Sequence, residues 1–389
     1  MSKFARQRGL SPLGLVTLLG LSTLGGGCQF VGATASNLDA LHANEGRHAF
    51  VAVQESNVGW ASRTALSALT RSLGREAIQP NPSAVEDPVE SCQELLEQLS
   101  GFDSDDFNTG STQVEYFARA AVFDPWPSSR EIALRELGRA GQRLGLGERP
   151  VDLKAAETSE AQADEALGKL VAATRKWFES RTGEAKAELE ATCTEVAALP
   201  LSVRDGLRFL HGVNVLLRAA ILRDPRVEPL RPLSTALQRR LVAQTVARAL
   251  LDAPPIADGG SDPGWPSERV QAAAVRAAVR YGGERKLAEL LSRNPFGSLG
   301  GERLVAALDC VAALGLPTPD GEGGALERER WANQIYVTAV EHPDGHVRLA
   351  AMKALGKLSG RGLVSLQELE WQNWWLAEGR AAFSAGATK

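Results

Sequence analysis

From about residue 61 onward, the apolar residues of this chain recur three, four and seven positions apart, and no long stretch alternates apolar with polar. That spacing puts a greasy stripe along one side of a helix. A strand would need a period of two. Helices are therefore predicted near 61–74, 88–100, 111–123, 128–144, 160–180, 184–198, 202–223, 234–251, 267–281, 284–292, 301–315, 326–341, 345–358 and 365–378. Pro and Gly fall between them, as at Pro125, Pro127, Pro225, Pro263, Pro266, Pro295, Pro317 and Pro343, where they stop one helix and set the turn before the next. Ala, Leu and Arg, all strong helix formers, dominate the long stretches. The fold class that follows is all-α.

The punctuation repeats. His342-Pro343-Asp344-Gly345-His346-Val347-Arg348 leads into Leu349-Ala350-Ala351-Met352-Lys353-Ala354-Leu355-Gly356. Weaker copies start at Asp124-Pro125-Trp126-Pro127, at Asp262-Pro263-Gly264-Trp265-Pro266 and at Asn294-Pro295. The second-helix starts near 267, 301 and 345 lie 34 and 44 residues apart, in the range of helical-hairpin arrays. These segments resemble the HEAT repeat in its short bacterial form, the type also found in phycobilin lyases. The resemblance is good over 262–358, fair over 111–141 and only helical-pair-like between 145 and 250. It implies an α-solenoid of about five or six helical pairs in a right-handed superhelix, each pair leaning on its neighbours. In that family the turn Asp and second-helix Arg of successive repeats form a polar ladder. The resemblance gives those parts to Asp124 with Arg130, Asp262 with Arg269 and Asp344 with Arg348. A solvated surface is the competing reading for these arginines. Small residues at 350, 351 and 354 suit close helix approach, and Gly356 is expected to permit a left-handed cap.

The first residues carry an address. Lys3, Arg6 and Arg8 precede the apolar run Leu13–Leu24, which at 12 residues is too short to span a membrane needing about 20. Leu24-Gly25-Gly26-Gly27-Cys28 follows and resembles the lipobox of bacterial lipoproteins, with the Leu one place further from the Cys than usual. The resemblance implies cleavage before Cys28 and lipidation of its thiol. Ala33-Thr34-Ala35 offers an ordinary secretion cleavage site as the alternative, leaving a soluble secreted or periplasmic protein. The chain then divides into a signal peptide (1–27), a tether (28–60), an N-terminal helical region with the first repeat-like pair (61–144), middle hairpins (145–252), C-terminal repeats with a Trp-rich cap helix (253–378) and a tail (379–389). Gln29 after Cys28 favours the outer membrane in the best-known sorting scheme.

Charge narrows the partners. The whole chain carries −4. Loss of residues 1–27 removes three basic and no acidic residues, so 40 basic face 47 acidic residues and the net becomes −7. That weighs against a nucleic-acid binder of the kind formed by the alkylation-repeat glycosylases, which share this architecture. Arg outnumbers Lys 34 to 9, which suits carboxylate recognition.

No chemistry-bearing motif stands out. The chain has no GxxxxGK[ST], GxGxxG or GxSxG pattern. His342 and His346 are separated by Pro343-Asp344-Gly345 and fall on a turn, and the paired His-Glu motifs of the deoxyhypusine hydroxylases do not occur. No cofactor, metal or catalytic residue is therefore assigned. Cys92 and Cys193 are candidates for a disulfide in an exported protein, and Cys310 reads as a core residue. Trp371, Trp374 and Trp375 fall at i, i+3 and i+4 on one helix face. They read either as a cap over the end of the stack or as partner anchors, and Trp126 and Trp265 on the turns are further candidates for contact with a partner. The function expected is that of a membrane-anchored, non-enzymatic scaffold binding another protein of the bacterial cell envelope. An enzyme or cofactor-handling protein of the lyase type is the alternative.

Overall fold

A computed structural model describes residues 109–123, 127–153, 157–223, 229–250, 268–319, 323–360 and 367–383. The expected helices at 61–74 and 88–100, together with Cys28, Cys92, Asp124, Trp126, Asp262 and Trp265, lie outside the described residues. Within them the chain forms eleven helices and no strand. They are α1 (Thr109–Phe123), α2 (Pro127–Arg143), α3 (Glu160–Ser180), α4 (Gly183–Ala198), α5 (Val203–Arg223), α6 (Leu230–Leu250), α7 (Glu268–Arg293), α8 (Gly301–Leu314), α9 (Gly324–Glu341) and α10 (Gly345–Leu358). The last, α11, opens as Glu368–Trp374, widens through a π turn at Trp375–Gly379 and ends as Arg380–Phe383.

Local chemistry sets the boundaries. Ser159 caps α3 in a capping box with Gln162, each accepting from the other's backbone N–H. Thr182 caps α4 and Asp344 caps α10. Pro127 takes the first position of α2, where its missing N–H costs nothing. Gly283 breaks α7 with φ 59° and ψ −150°, a region open in practice to Gly alone, so the element is two helices meeting at a bend, as the sequence spacing implied. Gly356 differs from its expected role. It is buried inside α10, and the left-handed residue is Gly360, with φ +66°, two residues past the helix end.

The helices pack in antiparallel pairs, α1 with α2, α3 with α4, α5 with α6 and α9 with α10. Order in space departs from order in sequence. The hairpin α1–α2 does not lean on α3–α4. Its first helix packs on α5 and α6, and its second packs most extensively on α7, far downstream. Glycine explains the choice of partner. A Cβ built on Gly138 of α2 would stand 2.8 Å from the Cα of Ala277 in α7, and one on Gly147 would stand in contact with the Tyr281 carbonyl. Backbones this close leave no room for a side chain.

Two cores result, and α7 is their common wall. Val270, Ala273, Ala274, Ala277 and Ala278 face the core built from α1 to α6. Ala272, Val275 and Val279 face the core built with α8 to α11. A helix apolar on both sides has to be buried between two layers. Beyond it, α8 packs on α10, and α9 packs on α11.

Candidate functional site

The densest polar chemistry lies where α1 crosses α5. Glu115 is 2% exposed, on the inner side of α1 between Val114 and Tyr116. Its Oε1 accepts from Arg119 Nη2 at 2.7 Å and from His211 Nδ1 at 3.0 Å, and its Oε2 accepts from Asn214 Nδ2 at 3.1 Å. Helical spacing makes this possible. Glu115 and Arg119 are i, i+4 on α1, and His211 and Asn214 are i, i+3 on α5. Burial alone would raise the Glu115 carboxyl. The charges of His211 and then Arg119, with hydrogen bonds from His211 and Asn214, overcome that and bring its pKa down to about 2. The carboxylate is thus ionised and fixes His211 with Nδ1 as the protonated ring nitrogen. His211 is 31% exposed, so the other ring edge is nearer solvent.

A second polar knot ties α5 to α3. Arg208, itself buried, lies 2.8 Å from Asp164 and 3.7 Å from Asp205, while Asp205 accepts from the Ser202 hydroxyl at 2.7 Å. Between α3 and α4 a surface cleft of about 330 Å³ is lined by Gln162, Glu165, Lys169, Thr192 and Glu195. Its Glu165–Lys169 ion pair is exposed on both sides. Among the described residues, no group of three His, Cys, Asp or Glu is placed to hold a metal ion.

The residues singled out from sequence are dispersed. Arg130 is buried and donates from Nε to the Ala121 carbonyl at 2.9 Å, bracing the α1–α2 hairpin. Arg269 reaches from α7 to Glu131 of α2 at 3.0 Å. Arg348 donates from Nη1 to the carbonyl of His342 at 2.7 Å and that of Pro343 at 3.2 Å, and its Nε lies 3.3 Å from Glu368. The Asp344 carboxylate instead accepts from the His346 N–H at 2.8 Å. Asp344 and Arg348 therefore serve the same turn through its backbone.

Trp371, Trp374 and Trp375 are 3%, 4% and 5% exposed, so their rings belong to the second core. Trp375 stacks on Tyr336 of α9 at 4.9 Å, and Trp371 meets Trp374 edge to face at 5.9 Å. The outer face of the same helix carries Leu369 and Leu376, 69% and 75% exposed. Cys193 and Cys310 are free, buried thiols. Burial pushes each up to about 12, with Glu190 adding to it at Cys193.

The Glu115 cluster was missed from sequence because its four members come from segments about a hundred residues apart. The signal present was Glu115 and Arg119 on the apolar side of α1, a position where charge is tolerated only when paired. The chain matches no protein-family model, no curated protein and no solved structure.

Proposed function

We propose that this chain is a membrane-anchored, non-enzymatic scaffold of the bacterial cell envelope, held at Cys28 by lipid and binding another protein along a solenoid-like helical surface. One observation carries the reading. On α11, Leu369 and Leu376 are largely exposed seven residues apart, on a helix whose three tryptophans are buried in the second core. Exposed large apolar side chains on a fixed helix face suit a protein partner. Packing supports the reading further, since helices anchored on two cores present their outer faces as a firm platform. Among the described residues no helix is long and apolar enough to cross a membrane. The anchor at Cys28 rests on the resemblance of Leu24-Gly25-Gly26-Gly27-Cys28 to a lipobox.

Crosslinking of the lipidated protein in membranes, followed by capture, tests this. One stoichiometric protein partner is expected, and it should be lost from the Leu369→Ser, Leu376→Ser double variant. Turnover of a small molecule by the purified chain would overturn the reading. Replacement of Cys28 by Ala should release the protein into the soluble fraction, and retention on the membrane would refute the anchor.

A further inference from the structure

Leu369 and Leu376 are not alone on their side of the molecule. On α9, which packs beside α11, Leu326 is 66% exposed and Val337 is exposed as well. Leu326, Arg330, Asn333, Val337 and Glu341 follow at i, i+4, i+7, i+11 and i+15, all exposed, while Trp331, Ile335 and Ala339 are buried. That spacing is one helix face. On α11 the corresponding stripe is Leu369, Leu376 and Arg380.

Ring contacts fix how the two stripes lie. Tyr336 stacks on Trp375, and the Arg328 guanidinium sits 5.2 Å over the Phe383 ring, so α9 read forward meets α11 read backward. On α9, Ile335, Tyr336 and Val337 are in turn buried, in contact with α11, and exposed. On α11, Trp374, Trp375 and Leu376 repeat that order against α9. Antiparallel neighbours turn in opposite senses in space, so Val337 and Leu376 emerge on one shared outer surface.

That surface is apolar in the middle and oppositely charged at its ends. Arg330 and Arg380 fall at one end, Glu341 and Glu370 at the other, and all four are exposed with no ion pair among the described residues. Three further acids share the arginine end, Glu327 and Glu329, half-buried, and Glu378, exposed, but the charges on the stripes there are arginines. At the acidic end, Arg348 is engaged by the turn carbonyls and Glu368. Arg330 lies six residues before Tyr336 and Glu341 five after it, and Glu370 and Arg380 lie five to either side of Trp375. A two-fold axis crossing both helices at the level of the Tyr336–Trp375 stack would therefore oppose every arginine to a glutamate.

We propose that a second copy of this chain covers the outer face of α9 and α11 in a symmetric dimer. Val337 and Leu376 sit beside the axis and meet their counterparts, Arg330 faces Glu341 of the other copy, and Arg380 faces the Glu370 end. The inference rests on the reading of α11 as a protein-binding face and names its partner. An axis running along the helices is disfavoured, because it would set Arg330 against Arg380.

The test uses the purified full chain carrying Cys28→Ala, so that no lipid drives association. Sedimentation over about 1–300 µM protein should show a monomer–dimer equilibrium that weakens at about 0.5 M salt, where the Debye length is only a few Å. Leu369→Ser with Leu376→Ser should weaken it at least about tenfold, with far-UV circular dichroism and melting temperature unchanged. Arg330→Glu alone and Glu341→Arg alone should each weaken it by a similar factor, since each opposes like charges twice. An equal mixture of those two single variants should form heterodimers, and one chain carrying both substitutions should dimerise again. A monomer whose leucines hold a different protein would overturn this inference and leave the scaffold reading standing. A monomer whose leucines hold nothing would overturn both. A dimer indifferent to these substitutions lies on another face and also overturns the proposal.

Discussion

At the scale of single residues, Glu115 is the position with most at stake. A carboxylate this deeply buried is stable only because Arg119, His211 and Asn214 surround it. Replacing it with Gln removes the buried negative charge against which Arg119 and His211 are held, and about 3–5 kcal/mol of stability should be lost, read by urea unfolding. The pH dependence has a definite sign. Its pKa is depressed from 4.5 to about 2 on folding, so its contribution is complete above pH 4.5 and is lost as pH falls toward 2. The acid limb of the stability profile should flatten over that window in Glu115→Gln, and an unchanged limb would refute the assignment. The two buried thiols make a second prediction. With pKa values pushed up to about 12, Cys193 and Cys310 carry almost no thiolate near neutrality, so an alkylating reagent should modify them only on unfolding. Rapid labelling of the native protein would contradict this.

At the scale of elements, the closest approach is between α2 and α7. Gly138→Leu should force them apart and lower the melting temperature, at a cost of about 1–3 kcal/mol or more for overpacking. Gly283→Ala tests a different cause. Nothing lies within 4 Å of the added methyl group, so any loss, expected at about 1–3 kcal/mol, comes from backbone strain at φ 59°. Much at this scale was legible in the sequence. Helical periodicity and prolines placed α3, α5 and α10 within a residue or so, and the Gly282-Gly283 pair marked the bend of α7. The π turn in α11 was not legible, because it follows from packing. A Cβ on Gly379 would stand 2.8 Å from Trp375 and 3.0 Å from Trp374, so the widened turn seats two adjacent tryptophans over a bare glycine. The exposed Leu369 and Leu376 were visible as apolar letters, but only the fold shows that they face away from the core. The partner of α2 was equally hidden, since a run of small residues suits close packing without saying against what.

At the scale of the whole molecule, α7 couples the two cores. Trp331, Trp371, Trp374 and Trp375 report from the second core and Trp177 from the first, which Ala274 faces. Ala274→Asp should therefore lower the tryptophan fluorescence transition together with the far-UV transition, in one step. Two separated transitions would show that the cores melt independently. The α2–α7 contact also has a consequence in time. Proteins are made from the amino terminus, and α1–α2 emerges more than a hundred residues before the surface that its glycines fit. Until α7 has been synthesised, that hairpin has no docking partner on its second face, so the first half must remain a waiting intermediate, sticky and dependent on whatever shelters unfinished chains.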